Sequence, residues 1–100
     1  MSELSIRKED RGGTQWFELT GRINTTTASD FDKAMTSATL EGKQITVNML
    51  NVTLLTSVGI RVILKTWKTC AAGGGKFLLE RPSQAVENVL GLSALEKMLK

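Results

Sequence analysis

Trp16-Phe17-Glu18-Leu19 is a compact apolar segment set between Gly12-Gly13 and Gly21. Turn residues on both sides of such a run predict a strand. The weaker alternation Leu4-Ser5-Ile6-Arg7 supplies its hairpin partner across Gly12-Gly13. A polar loop follows, Asn24-Thr25-Thr26-Thr27, and then the period changes. Ala28, Phe31, Ala34 or Met35, and Ala38 recur at three- and four-residue spacing, which puts them on one face of a helix. Thr27 followed by Asp30 has the spacing of a capping pair at its start, and Gly42 closes it. Gln44 to Leu50 alternates again and predicts a central strand. Asn51 to Thr56 reads as a link to a second helix, from Ser57 to Ala72. That helix has an apolar face of Val58, Val62, Ile63, Trp67, Cys70 and Ala71, widened by Ile60 and Leu64. Gly73-Gly74-Gly75 stops it and leads into a strand over Lys76-Phe77-Leu78-Leu79. Ser83 is positioned to cap a third helix carrying Ala85, Val86, Val89 and Leu90. Ser93 and Glu96 have capping-box spacing and predict a last short helix with Leu95, Met98 and Leu99.

The resulting order, β-β-α-β-α-β-α with a helical tail, predicts an α/β fold. It has a mixed sheet of four strands (or five) with its helices packed mainly on one face. Right-handed crossovers keep successive helices on the same side when the chain moves steadily across a sheet. The periods point Val47, Met49, Val62, Ile63, Phe77 and Leu79 inward. With no internal repeat, linker or low-complexity stretch, residues 1–100 read as a single domain, long enough to bury about 60–70% of its unfolded surface.

Composition narrows the chemistry. The net charge of +3, from 13 basic and 10 acidic residues, is too small and too mixed to indicate a nucleic-acid binder. There is no histidine, which removes the usual general base, Ser-His and Cys-His pairs, and the commonest zinc ligand. Cys70 is the one cysteine, so no intramolecular disulfide forms and a reducing compartment is expected. The first residues lack the build of a signal peptide, and no apolar run approaches the roughly 18 residues of a membrane span. A cytoplasmic protein is expected, with no catalytic residues, no cofactor, no metal and no membrane insertion.

Motifs that suggest enzymes fail on context. Gly73-Gly74-Gly75-Lys76 follows a helix and precedes a strand, the reverse of a phosphate loop. Thr56-Ser57-Val58-Gly59 is half a nucleophile elbow without its first glycine or any base. Asp30 and Asp32 suit the positive end of a helix dipole. One feature points elsewhere. Ser57 heads the second helix, and Arg61, Lys65 and Lys68 follow on one stripe away from most apolar positions. Phosphate added at a helix start has a large local effect, and Gly59 in the first turn lets another surface approach the backbone.

These residues and the order of elements resemble a STAS domain of the anti-sigma-factor antagonist family, from about Trp16 to Leu99. The family's Gly-Glu-Leu-Asp followed by Thr-Ala is similar to Gly21-Arg22-Ile23-Asn24 and Thr27-Ala28. Its signature loop, ending Asp-Ser-Ser-Gly-Leu or Asp-Ser-Thr-Gly-Leu, aligns without gaps to Leu55-Thr56-Ser57-Val58-Gly59-Ile60. The glycine-marked helix end matches Ala72-Gly73-Gly74, and the late Ser-Pro-Ala-Val matches Ser83-Gln84-Ala85-Val86. The resemblance implies an anti-sigma factor with serine kinase activity as partner. This partner is bound by the unphosphorylated form and lost on phosphorylation of Ser57, and a serine phosphatase resets the cycle. It implies a docking surface of Asn24, Thr25, Thr26, Leu55, Thr56, Ser57, Val58 and Gly59, to which the charge stripe adds Arg61 and Lys65. The chain departs from the pattern at Thr56 and Asn24, where acids are usual, at Arg22 for Glu, at Val58 for a small hydroxyl residue, and at Ala94 for a glycine. The face has lost negative and gained positive charge, and Thr56 is a rival phosphate acceptor. The alternative function is a STAS subunit that does not switch, in a bacterial lipid-transport ATPase or a stressosome-like scaffold.

Overall fold

The computed structural model describes residues 3–42 and 44–91. The described elements run β1 (Leu4–Arg11), β2 (Thr14–Ile23), α1 (Ala28–Leu40), β3 (Gln44–Leu55), α2 (Ser57–Ala72), β4 (Phe77–Glu80) and α3 (Gln84–Leu90). The strands form one four-stranded sheet in chain order. β1 and β2 are antiparallel, β2–β3 and β3–β4 parallel, so the sheet is mixed. No fifth strand occurs among the described residues, and the Ser93–Glu96 tail lies outside them.

Cross-strand register decides which side chains share a face. Phe17 pairs with Val47 and Val47 with Leu79, so these three point the same way. Phe31, Met35 and Ala38 of α1, Val62, Ile63 and Cys70 of α2, and Val86 of α3 join them in a single apolar cluster. All three helices therefore cover one face. Val47, Met49, Ile63 and Leu79 are fully buried and Phe77 and Val62 nearly so; burying each such side chain is worth about 1.5–3 kcal/mol. Gln15 is buried with them, and its Nε2 donates to the Ala38 carbonyl near the end of α1 at 2.8 Å.

The other face is built from charge and one indole. Trp16 Nε1 donates to Glu80 Oε2 at 2.8 Å, and Asn48 Nδ2 donates to the same oxygen at 3.2 Å. The guanidinium carbons of Arg11 and Arg7 lie 3.9 and 5.0 Å from the Trp16 ring centroid. The hydrogen bond to Glu18 is the main reason the Arg7 pKa is raised; that from Arg11, followed by that from Arg7, holds the Glu9 carboxyl below its ordinary range.

The structure corrects the reading of the chain at several points. Asn51–Leu55 is not a link but the continuation of β3. Its residues pair with β2 through two register shifts, at Glu18/Thr20 and Gly21/Arg22. The first two strands are also longer than their apolar cores suggested. Thr27 does not cap α1 with its side chain, because its hydroxyl turns back into the preceding loop. Ala71 and Val89, counted on apolar faces, are exposed. Ser83 does cap α3: its Oγ accepts from Val86 N at 3.3 Å and donates to Val52 O at 2.6 Å.

Burial also raises the Cys70 pKa. Less thiolate at neutral pH means slow alkylation. Iodoacetamide should label Cys70 much faster in urea than in buffer, a comparison that mass spectrometry reads directly; equal rates would contradict the burial.

Candidate functional site

Two loops meet where the parallel strands β2 and β3 end. The first is tied by Asn24, whose Oδ1 accepts from the backbone N–H groups of Thr26 (3.0 Å) and Thr27 (3.1 Å), while its carbonyl accepts from Ala28 N (2.8 Å). Thr27 completes the knot: its hydroxyl donates to Arg22 O at 2.7 Å and accepts from Asn24 N at 2.9 Å. An amide or carboxylate oxygen serves this turn equally well as acceptor. The half-buried Asn24 thus shapes the loop, while Thr25 and Thr26 are exposed on it.

The second is the β3–α2 junction. Thr56 N donates to Ile23 O at 3.1 Å, and its hydroxyl reaches the same carbonyl at 3.3 Å. This contact joins the two loops through backbone. Thr56 is the N-cap residue of α2 in extended conformation, and Ser57 is the first helical residue. Ser57 is exposed, and its hydroxyl has no hydrogen-bond partner among the described residues. Gly59 explains how closely α2 can approach. A Cβ there would lie 2.6 Å from both Ile23 Cγ2 and Leu55 Cδ1, well inside van der Waals contact. Leu55 and Gly59 are buried, and their close packing holds the two loops together.

Arg61 and Lys65 follow Ser57 at one-turn steps and are exposed, as is Lys68. Lys65 Nζ forms an ion pair with Asp32 Oδ1 of α1. Arg61 has no carboxylate partner among the described residues. Between the N-terminal halves of α1 and α2 lies a groove of about 350 Å³, lined by Thr25, Ala28, Ser29, Asp32, Val58, Arg61, Val62 and Lys65.

The chain matches the family model of the STAS domain over residues 5–100. It belongs to the STAS domain family. Several solved structures superpose on it along nearly its whole length. An anti-sigma factor antagonist from Mycobacterium paratuberculosis aligns with a TM-score of 0.83 at 21% identity, over 96% of this chain and 82% of that one. Bacillus SpoIIAA, an anti-sigma factor antagonist, aligns in its phosphorylated form with a TM-score of 0.79 at 19% identity, over 96% of this chain and 89% of that one. A Thermotoga maritima protein gives 0.76 at 25% identity, over 95% and 83%.

Within this STAS domain, Thr56 is tied to Ile23, the residue that leads into the Asn24 loop, and Thr25, Val58, Arg61 and Lys65 line one groove. Sequence reasoning missed Ser29 and Asp32 as groove residues and Thr27 as the loop's knot. The signal available for the first two was their spacing from Thr25: steps of four and three residues align them on one stripe of α1. That the stripe faces α2 is a property of the pairing of the helices. No helix among the described residues is long and apolar enough to cross a membrane.

Proposed function

We propose that this STAS domain is an anti-sigma factor antagonist that works by partner switching. In its unmodified form it binds an anti-sigma factor that is also a serine kinase, which frees the sigma factor. Phosphorylation of Ser57 releases the partner, and a serine phosphatase restores binding. The domain itself is a cytoplasmic binding module without catalysis. The observation that carries this reading is the exposed Ser57 hydroxyl at the head of α2, without a hydrogen-bond partner among the described residues, beside Thr56, whose own hydroxyl is engaged by Ile23 O.

Electrostatics makes the switch reasonable. The α2 N-terminus favours an anion, and Arg61 lies one turn on. Phosphate at Ser57 adds about −1.5 to −2 charges without having to enter the core. The similar fit of this chain to unphosphorylated and phosphorylated SpoIIAA, with TM-scores of 0.80 and 0.79, supports a fold that tolerates phosphate. Incubation with the partner kinase and ATP, followed by peptide mass spectrometry, should find phosphate on Ser57. Phosphate on Thr56 alone would move the switch by one residue.

A second reading rests on Asn24 and Thr56, which stand where the family usually has acids. It is a non-switching STAS subunit of a lipid-transport ATPase or a stressosome-like scaffold. Tight partner binding with no phosphate on either residue would favour it.

A further inference from the structure

The α1–α2 groove has a composition that neither Ser57 nor the loop knot explains. Its floor is apolar and small, made by Ala28, Val58 and Val62, and its rim carries Arg61, Lys65 and Asp32. At about 350 Å³ it holds one large aliphatic side chain with room for flanking backbone. Of the two rim cations, Arg61 has no carboxylate partner among the described residues. Lys65 is held by Asp32 alone among them, in a pair with both side chains solvent-accessible. Lys68 extends the cationic stripe one turn further. An exposed ion pair of this kind is weak and exchangeable.

We propose that this groove receives an apolar side chain carried on an acidic segment of the partner, and that Asp32 limits the affinity by competing for Lys65. The inference rests on the binding-module reading above but not on phosphorylation. The incoming carboxylates pair with Arg61 and displace Asp32 from Lys65, while the apolar side chain covers Ala28, Val58 and Val62. Asp32 thereby acts as an internal stand-in for the partner's acid. It keeps the groove from binding anions indiscriminately and leaves the apolar floor to discriminate between acidic segments.

The test uses this chain, isotope-labelled, and a capped heptapeptide with a central leucine flanked on each side by three alternating glutamates and aspartates. In NMR titration at low salt the peptide should shift the amide signals of Thr25, Ser29, Val58 and Val62, and the shifts should shrink as salt is added. A peptide with lysines in place of the acids, and one with glycine in place of leucine, should each bind at least about tenfold more weakly, the scale set by losing one buried aliphatic side chain. Asp32→Asn should tighten binding of the acidic peptide about threefold, the size of one exposed ion pair. It should have no such effect in a Lys65→Met background. Lys65 is exposed and Asp32 half-buried with an accessible side chain, and the melting temperatures of both variants check that the fold is kept. Shifts elsewhere, equal binding of the lysine peptide, or no gain from Asp32→Asn would overturn the proposal. Phosphate on Ser57 together with an unresponsive groove would sink this inference and leave the partner switch standing. A responsive groove without phosphate on Ser57 would do the reverse.

Discussion

Ser57→Asp should cost the cognate partner about 30- to 100-fold in affinity while leaving the protein folded. Two opposing electrostatic effects act at the same atom position. Toward the partner, the new carboxylate meets the acidic surface that the Arg61–Lys65–Lys68 stripe is suited to attract, and like charges brought together across an interface cost several kcal/mol. Within the domain, the same carboxylate sits in the first turn of α2, where the helix dipole favours an anion by about 0.3–1 kcal/mol. Ser57 is exposed and its hydroxyl holds nothing among the described residues, so nothing is broken by replacing it. The melting temperature should therefore stay within about 5 °C of the parent, moving upward if at all. Ser57→Ala should bind like the parent and resist kinase-dependent release. Calorimetric titration against the partner and a thermal melt of each variant check both halves. A Ser57→Asp variant that binds normally, or one that unfolds, would defeat the proposed switch.

Gly21→Ala should be the more damaging change to the fold. Gly21 has a φ of +115°, a conformation that side chains rarely adopt, and an added Cβ would lie 2.2 Å from the Glu3 carbonyl oxygen. That oxygen accepts the Arg22 N–H at 2.9 Å and precedes Leu4, which is buried in the core. The collision is with backbone, so no rotamer change relieves it. Backbone strain of about 1–3 kcal/mol adds to a weakened hydrogen bond of about 0.5–1.5 kcal/mol. A total loss of about 2–4 kcal/mol lowers the melting temperature of a domain this size by roughly 10–25 °C. Gly42→Ala is the control. Its φ is +72° but a Cβ there meets nothing within 4 Å, so only the local conformational cost applies, about 1 kcal/mol. Equal melting temperatures for the two variants would show the β1–β2 junction to be softer than its geometry implies. Because Gly21 opens the segment Arg22-Ile23-Asn24, Gly21→Ala should also disturb the loop that Thr27 ties to Arg22.

Periodicity carried the elements and the core. Val47 and Met49 alternate on a strand, Val62 and Ile63 fall on one helix stripe, and Phe77 and Leu79 alternate again; all are buried. Such patterns are local, because a strand or helix exposes the same residues to one side whatever covers that side. The position of Ser57 at the start of a helix was legible for the same reason. Asn51–Leu55 was not, since Asn51 and Thr53 resemble a polar link until β2 supplies the paired backbone that makes them strand. Thr27 has the spacing of a cap, yet its hydroxyl goes to Arg22 O, an acceptor that the loop creates only by folding back. The burial of Leu55 and Gly59 and the meeting of Asp32 with Lys65 across two helices are likewise outcomes of packing. A chain's periods state which side of each element turns inward. Which residues from separate elements then come into contact is set by the register and crossing of those elements, and these depend on the whole sheet at once.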